Sequence, residues 1–391
     1  MAKLSDVYNV VVNLRGMAAK GCTRPTIKQF FTSNPDFECG SQYQDAVFLT
    51  RILSPNTESG DNIGTSAAIS DTKIVVGTYV GEEGVGTAYI FNTDGTYVTT
   101  LVAPDAAVGD MFGGYVVLSD TLVVVGAPMD NSETGAVYLF NTNGTYIAKI
   151  TAPDGAAYDA FGGSVAVSDT KIVVGAVGNN GGGGEVSGSV YIFNTDGTYI
   201  TKIKAPDASP DSWFGEAVAI SDTRIVVGAP RGGSDPGAVY IFNIDGTYIT
   251  KIVAPDTSYG DYFGWPLAIS DTKIVVSVAF EVNGYGGLYV FNTDGTYITK
   301  IIAPDVVVGD HFGASLAISD IRIFAGNAPG IPGGSSVYIF NTDGTYVTKI
   351  ESPATATNGY FGGSVAISDT NLIVGAVGEA SGYGSVYIYD I

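Results

Sequence analysis

Residues 161–176, FGGSVAVSDTKIVVGA, and residues 188–207, GSVYIFNTDGTYITKIKAPD, contain short apolar runs separated by residues that favour turns. These runs predict four strands, at residues 164–167, 171–175, 190–193 and 198–203. Between the last two strands, Asp196-Gly197 predicts a hairpin, because Asp-Gly tolerates the positive φ angles of a type I′ turn. The stretch therefore predicts one small antiparallel sheet.

This unit is repeated along the chain. A Ser-Asp-Thr tripeptide, once Ser-Asp-Ile, occurs seven times at intervals of 49 residues, except for one interval of 53. The tripeptides begin at Ser70, Ser119, Ser168, Ser221, Ser270, Ser319 and Ser368. We expect their Asp and Thr oxygens to accept hydrogen bonds from turn amides. No helical period is found from residue 46 onward, so the chain is predicted to be an all-β repeat protein.

The pattern of each strand indicates its place in the sheet. The second and third strands are almost continuously apolar, which is typical of strands covered on both faces. The fourth strand alternates and carries a basic residue at one aligned position, whereas Thr100 stands there in one copy. The basic residues are Arg51, Lys149, Lys202, Lys251, Lys300 and Lys349. A charged outer strand resists edge-to-edge pairing, so the pattern predicts a β-propeller with seven four-stranded antiparallel blades.

The fourth strand of the seventh copy is found at the other end of the sequence. Residues 46–55, AVFLTRILSP, align with residues 345–353, TYVTKIESP, in register with the repeat. An N-terminal strand is therefore predicted to complete the last blade and close the ring. Burial of Val47, Leu49, Ile52 and Leu53, at about 1.5–3 kcal/mol each, is expected to offset a loop-closure cost of roughly 5 kcal/mol.

Composition excludes several classes of function. With 18 Lys and Arg against 39 Asp and Glu, the net charge is −21, which argues against a nucleic-acid partner. No apolar run approaches the roughly 18 residues of a membrane span, and the start lacks the apolar region of a secretion signal. One histidine and two cysteines exclude His/Cys metal clusters. We therefore expect no metal, no cofactor and no membrane span.

The repeat resembles the FG-GAP repeat of the integrin α-subunit propeller, and more closely its calcium-free variant. The Phe-Gly pairs and the Gly-Ala-Pro elements at residues 126–128 and 228–230 carry this resemblance over residues 46–391. The resemblance implies a propeller fold. The integrin-type blade has a calcium loop between its first two strands, but here only Ser-Asp-Thr stands there, too short to supply the six to eight oxygens that calcium needs. The family's metal sites are therefore not expected in this chain.

The two faces of the predicted propeller differ. The Ser-Asp-Thr and Asn-x-Asp-Gly turns lie on one face and are nearly the same in every copy. The other face, called the variable face below, carries the fourth-to-first linkers and the second-to-third loops, which differ between copies. Different loops on a common scaffold are typical of a recognition surface, although neutral drift of exposed loops gives the same pattern.

One linker position, directly before each Phe-Gly or Ile-Gly pair, is predicted to form a ring on the variable face. Its residues are Asn62, Met111, Ala160, Trp213, Tyr262, His311 and Tyr360. The last four form an aromatic arc that suits sugar or peptide contacts, and packing over the blade tops is the alternative. Trp265 and Glu216, directly after Phe-Gly, are expected to narrow the channel or to contact a ligand. The candidate binding residues are Trp213, Tyr262, Trp265, His311, Tyr360 and Met111.

Aspartates recur twice in most linkers. One set is Asp105, Asp154, Asp207, Asp256 and Asp305, and the other is Asp61, Asp110, Asp159, Asp211, Asp261 and Asp310. Paired carboxylates can hold a divalent cation or catalyse glycoside hydrolysis, but a catalytic pair is normally placed once, so turn capping is favoured. His311 is a weak catalytic candidate, and no nucleophile or phosphate-binding motif is found. No catalytic residue is assigned, and the protein is predicted not to be an enzyme.

The sequence predicts two parts, an N-terminal arm at residues 1–44 and the propeller at residues 45–391. The arm contains Cys22 and Cys39, which either pair or stay reduced, and it either packs on the propeller or docks onto an assembly. We expect a non-enzymatic virion component, such as a phage tail, fibre or capsid appendage. Its partners would be structural proteins bound through the arm and a host-surface glycan or protein bound at the variable face. The alternative is a bacterial surface or secreted adhesin, extracellular or on the cell surface, with lectin-like glycan binding, and a polysaccharide-acting enzyme is the third hypothesis.

Overall fold

The computed structural model of the chain describes residues 46–55, 62–78, 85–178, 187–207, 209, 211–231, 236–279, 284–327, 335–352, 359–379 and 383–391. The arm expected at residues 1–44, with its two cysteines and its docking role, lies outside the described residues.

The strands occupy four equivalent positions. The first strands are β2 (Ser66–Ile69), β6 (Tyr115–Leu118), β10 (Ser164–Val167), β14 (Ala217–Ile220), β18 (Leu267–Ile269), β22 (Phe312–Ile318) and β26 (Phe361–Ile367). The second strands are β3 (Lys73–Thr78), β7 (Leu122–Ala127), β11 (Lys171–Ala176), β15 (Arg224–Ala229), β19 (Lys273–Ser277), β23 (Arg322–Asn327) and β27 (Asn371–Ala376). A short turn, α1 (Asp130–Glu133), follows β7, and Asn131 and Ser132 within it have left-handed φ angles of 50° and 60°.

The third and fourth strands complete each sheet. The third strands are β4 (Thr87–Asn92), β8 (Ala136–Asn141), β12 (Ser189–Asn194), β16 (Ala238–Asn243), β20 (Leu288–Asn292), β24 (Ser336–Asn341) and β28 (Val386–Asp390). The fourth strands are β5 (Tyr97–Leu101), β9 (Tyr146–Ile150), β13 (Tyr199–Ile203), β17 (Tyr248–Ile252), β21 (Tyr297–Ile301), β25 (Tyr346–Glu351) and β1 (Val47–Ile52).

These strands form seven four-stranded antiparallel sheets. We number the sheets from blade 1 (β2–β5) to blade 6 (β22–β25), and blade 7 contains β26–β28 with β1 beside β28. First strands of neighbouring blades contact one another in the order β2, β6, β10, β14, β18, β22, β26 and back to β2. The predicted seven-bladed propeller, closed by the N-terminal strand, is confirmed.

The hydrophobic core lies between blades. The second and third strands are buried along almost their whole length, as their apolar sequences predict. Val124 of blade 2 and Val174 of blade 3 belong to one buried cluster, which also contains Phe161 of the Phe-Gly pair. The Phe161 ring meets Tyr191 edge to face, with ring centroids 5.5 Å apart. Each Phe-Gly phenylalanine thus packs a linker into the space between two sheets.

The glycine of the Phe-Gly pair permits close approach between blades. A Cβ added to Gly175 of blade 3 would lie 2.1 Å from the carbonyl oxygen of Gly215, which precedes blade 4. Gly215 itself has a φ of 96°. Because two backbones meet here without side chains between them, any residue larger than glycine at Gly175 must push the blades apart.

The hairpin between the third and fourth strands differs from the predicted type I′ turn. The N–H of Gly197 donates to the carbonyl oxygen of Asn194 at 2.9 Å, and Gly197 has a φ of 87°. Asp196 is not among the residues with positive φ, so the type I′ prediction is wrong. The loop has three residues and ends in a left-handed glycine, and the register of β12 and β13 shifts between Ile192 and Phe193. Asp196 instead accepts hydrogen bonds from Thr198.

Ring closure depends less on apolar burial than the sequence suggests. In β1, Ile52 is 2% exposed, but Leu49 and the following Leu53 are 51% and 53% exposed. The expected burial of these two leucines is therefore wrong, because they lie on the outermost strand and beyond it. The Phe48 ring instead lies 6.0 Å from the Tyr387 ring of β28.

An ion pair joins the same two ends of the chain. Arg51 Nη2 lies 3.0 Å from an oxygen of Glu379, whose side chain is 1% exposed. The hydroxyl of Tyr387 donates to Glu379 Oε2 at 2.7 Å, and Arg51 Nε donates to Ser385 Oγ at 2.9 Å. We call Arg51, Glu379, Ser385 and Tyr387 the closure cluster.

Candidate functional site

The linker residues before the Phe-Gly or Ile-Gly pairs share one backbone conformation. All seven have positive φ, between 48° and 58°, and only one of them is an asparagine. They are Asn62, Met111, Ala160, Trp213, Tyr262, His311 and Tyr360. Since left-handed backbone is unfavourable for residues with a Cβ, the fold imposes this geometry in every blade. Each side chain therefore leaves the backbone in an equivalent way, as the predicted ring requires.

Two neighbouring members of this ring line a pocket between blades 4 and 5. The pocket has a volume of about 320 Å³ and is lined by Trp213, Glu216, Pro230, Arg231, Tyr262 and Trp265. We call it the aromatic pocket. Trp213 and Glu216 precede β14, Tyr262 and Trp265 precede β18, and Arg231 follows β15. The variable parts of two blades thus meet around one cavity.

Arg231 forms one wall of the aromatic pocket. Its guanidinium carbon lies 3.6 Å from the ring centroid of Trp213 and 5.2 Å from that of Tyr262, which places a cation over two aromatic faces. Its backbone N–H donates to the carbonyl oxygen of Ser212 at 3.3 Å. Within the described part of the chain, the guanidinium makes no hydrogen bond and no ion pair.

Glu216 supplies the opposite charge. Burial raises the pKa of its carboxyl group, and Arg231 opposes that shift. Among the described residues the carboxylate accepts no hydrogen bond and forms no direct ion pair with Arg231. The equivalent position in the other copies is Thr, Gly, Trp or Ala. The pocket therefore holds one cation with only donors and one anion with only acceptors, and neither has a hydrogen-bond partner among the residues that the structure describes.

The structure brings three of the six candidate residues together and leaves three apart. Trp213, Tyr262 and Trp265 line the aromatic pocket, and Trp265 is 38% exposed. His311, Tyr360 and Met111 do not line it. His311 Nδ1 lies 3.1 Å from the carbonyl oxygen of Ala279, and Tyr360 is 50% exposed.

The first set of linker aspartates binds the next blade. In each of five linkers an aspartate accepts a hydrogen bond from a third-strand tyrosine at 2.5–2.8 Å and pairs with a fourth-strand lysine at 2.6–3.0 Å. The groups are Asp105–Tyr138–Lys149, Asp154–Tyr191–Lys202, Asp207–Tyr240–Lys251, Asp256–Tyr289–Lys300 and Asp305–Tyr338–Lys349. We call them linker triads. They join each linker to the blade that follows, so the turn capping expected for this set of aspartates is wrong.

The pKa values of the linker triads follow from these contacts. Hydrogen bonds from the paired side chains lower the pKa of each carboxyl group, chiefly from the lysine for four aspartates and from Tyr289 for Asp256. Burial and the neighbouring Asp207 raise the pKa of Tyr240 to about 12. These carboxylates are therefore charged and already bonded at neutral pH.

Four aspartates of the second set cap turns in the linkers. Asp110, Asp159, Asp261 and Asp310 each accept a backbone N–H three residues earlier, at 2.6–2.8 Å. Turn capping is thus confirmed for these four. Asp211 accepts no such hydrogen bond among the described residues, so turn capping is wrong for it, and Asp61 lies outside the described residues.

On the opposite face, the Ser-Asp-Thr turns of all seven blades surround one cavity of about 500 Å³ at the propeller axis. The serine rather than the Asp and Thr caps each turn, and in blade 3 Lys171 N–H donates to Ser168 Oγ at 3.2 Å. The expected role of the Asp and Thr oxygens at these turns is therefore wrong. In the part of the chain that is described, no group of three or more His, Cys, Asp or Glu side chains is placed to hold a metal ion.

Sequence reasoning did not identify Arg231 as a site residue. The residue stands in a second-to-third loop at a position where no other copy has a charged residue, so the repeat gives no expectation for it. One signal was present: a single charged residue directly follows the Gly-Ala-Pro element at residues 228–230. Its partner Trp213 is the ring residue of the same blade.

Comparison with known families gives one clear match. The model of the FG-GAP repeat matches residues 96–140, 145–193, 198–242, 247–291 and 345–389. Each matched segment runs from the fourth strand of one blade to the third strand of the next. No curated protein matches the chain. No helix among the described residues is long and apolar enough to span a membrane.

Proposed function

Since the chain belongs to the FG-GAP repeat family, we propose that it is a non-enzymatic interaction protein that binds a partner through the variable face of its propeller. The aromatic pocket is the observation that supports this function. Five linkers contain a linker triad and blade 7 contains the closure cluster, but two tryptophans together with a cation and an anion that form no ion pair occur at one place only in the described residues. Exposed aromatic groups with unsatisfied polar groups are typical of binding sites.

We place this interaction in a virion, where the propeller of a tail, fibre or capsid appendage would contact a partner protein or the host surface. The net charge of −21 and the family scaffold support that setting by analogy. The alternative setting is an extracellular or cell-surface adhesin.

Sedimentation of native particles tests the setting. The full chain is expected to sediment with assembled particles and to stay with them at salt concentrations that remove loosely bound protein. Recovery of the chain only in the free fractions would contradict a virion role and favour the adhesin.

Substitution in the pocket tests the binding surface itself. Trp213→Ala is expected to abolish partner binding, whereas Lys204→Ala, on an exposed linker lysine, is expected to leave it unchanged. Equal partner binding by both variants would contradict the proposed surface.

A further inference from the structure

From the proposed function and the chemistry of the aromatic pocket, we infer that the ligand bound there is a neutral pyranose ring of a glycan, stacked on tryptophan and held between Arg231 and Glu216.

The volume of the aromatic pocket and the residues that line it favour a ligand with a single pyranose ring. A volume of about 320 Å³ is at the lower end of the roughly 300–1,000 Å³ of small-ligand pockets. Trp213, Trp265 and Tyr262 supply flat apolar faces, and the C–H face of a pyranose is flat and apolar in the same way. The aromatic residues therefore suit a ring that has one apolar face and polar edges.

The polar groups of the pocket favour a ligand that both donates and accepts hydrogen bonds. The Arg231 guanidinium can only donate, and an ionised Glu216 carboxylate can only accept. Neither group has a hydrogen-bond partner among the described residues. Vicinal hydroxyl groups of a sugar satisfy both, because each hydroxyl is a donor and an acceptor.

The charge of the pocket disfavours ionic ligands. Arg231 and Glu216 together contribute no net charge. A ligand cation would compete with the Arg231 guanidinium, which already lies 3.6 Å from the Trp213 ring centroid. A ligand anion would approach Glu216 on a chain of net charge −21. A neutral polyhydroxylated ring avoids both costs.

The chain offers a direct probe of this site, because its two tryptophans, Trp213 and Trp265, both line the pocket. Intrinsic tryptophan fluorescence of the full chain therefore reports on the pocket alone. We expect a saturable change on titration with at least one of glucose, galactose, mannose and N-acetylglucosamine. The dissociation constant is expected to be roughly 1 mM, as for a small ligand held by one stacked ring and a few hydrogen bonds.

Two variants test the assigned contacts. Arg231→Met keeps the apolar stem and removes the donors, and Glu216→Gln keeps the shape and removes the charge. Each is expected to weaken binding of the responding sugar about tenfold, the loss typical of one hydrogen bond to a charged group. Lys204→Met is the matched control and is expected to bind as tightly as the wild type. Thermal unfolding of each variant checks that the fold is retained.

Three outcomes would overturn the inference. The first is no saturable response to any of the four sugars. The second is a saturable response to tetramethylammonium or glucuronate without one to the neutral sugars. The third is unchanged sugar affinity in both Arg231→Met and Glu216→Gln. If a protein partner is still lost from Trp213→Ala while no sugar binds, the sugar assignment fails and the proposed binding function stands.

Discussion

A single backbone conformation recurs at the residue before each Phe-Gly or Ile-Gly pair. Six of these seven residues are neither glycine nor asparagine, yet all have φ between 48° and 58°. The left-handed region costs an L-residue roughly 1–2 kcal/mol, so each blade retains a small amount of unfavourable backbone energy. In blades 4 and 5 that position carries Trp213 and Tyr262, which line the aromatic pocket. The strained position is thus also the one that presents side chains to the pocket.

Ala160 allows this backbone energy to be measured, because it has a φ of 52° and little side chain to lose. We expect Ala160→Gly to raise the free energy of unfolding by roughly 0.5–1 kcal/mol, the relief of left-handed strain minus the entropy cost of glycine. Urea denaturation measures it. Ala148→Gly in β9, an ordinary strand position, is the control and is expected to lower stability by about 0.5–1 kcal/mol. A loss of stability in Ala160→Gly would contradict imposed strain.

The ring of linker residues could be predicted from sequence because the repeat fixes its register. Trp213 and Tyr262 are predicted as neighbouring aromatic members of this ring, and Trp265 as a bulky residue at a position where other copies have Gly, Ala, Thr or Glu. Arg231 was missed because its loop has no equivalent residue in other copies, so a comparison between copies gives no contrast. The role of Arg231 can be recognised only in the folded structure, where its guanidinium lies over the Trp213 ring.

At the scale of elements, β1 and β28 form the contact that closes the ring. The repeat predicts their pairing, because Arg51 occupies the position of the fourth-strand lysines. It does not predict Glu379, which replaces the linker aspartate and comes from the second-to-third loop of its own blade. A longer acidic side chain from another direction thus makes an equivalent contact with Tyr387.

Arg51→Met tests how much this ion pair stabilises the closed ring. Glu379 is 1% exposed and Arg51 34%, so loss of the arginine leaves a buried carboxylate without its cation. We expect the free energy of unfolding to fall by about 2–3 kcal/mol, less than for a fully buried pair because solvent reaches the arginine. Urea denaturation of the full chain measures this loss.

Lys349→Met is the matched control, because Lys349 occupies the same position in blade 6 and its partner Asp305 is 51% exposed. Its expected cost is below about 1 kcal/mol. Equal costs for the two variants would contradict a special role of the closure cluster.

At the scale of the whole molecule, five linker triads are distributed around the ring, and they predict how stability depends on pH. Each aspartate has a pKa below that of the unfolded chain, so the unfolded state binds more protons in that range. Their contribution to stability is present above the unfolded value of about 4 and is lost as the pH falls through the lower folded value. Acid therefore weakens the contacts between linkers and blades.

Asp207→Asn removes the charged aspartate of one linker triad and leaves the other four triads intact. The difference in stability between this variant and the wild type at each pH therefore reports on that triad. Asp207 is 53% exposed, so at pH 7 we expect the variant to be less stable than the wild type by at most about 1 kcal/mol. The difference should shrink below about pH 4 and vanish once Asp207 is protonated in both states. Urea denaturation of both proteins between pH 2.5 and 7 measures it. A difference that grows on acidification would contradict the sign of the pKa shift.

The overall architecture was the most predictable level. Seven copies of one unit, with buried second and third strands and a charged fourth strand, leave few alternatives to a propeller. Local geometry was less predictable. The hairpin at Asp196-Gly197 has one left-handed residue rather than two, because its loop has three residues, and in such a loop Asp196 does not need the positive φ that a type I′ turn requires. The pattern identifies β1 as an outer strand, but it does not show how much of each apolar side chain on such a strand is covered, so the burial of Leu49 and Leu53 is smaller than expected.

Blade 7 is built from strands at opposite ends of the described chain, and this has a consequence for biosynthesis. While the protein emerges from the ribosome, β1 is made before any other described strand and β28 after all of them. Blades 1 to 6 can each form as soon as their own four strands are available, but β1 must wait with its edge unpaired. The pairing of β1 with β28 is therefore the last step in forming the described blades. Until it occurs, the unpaired edges of these two strands are exposed to chaperones and proteases that act on nascent chains.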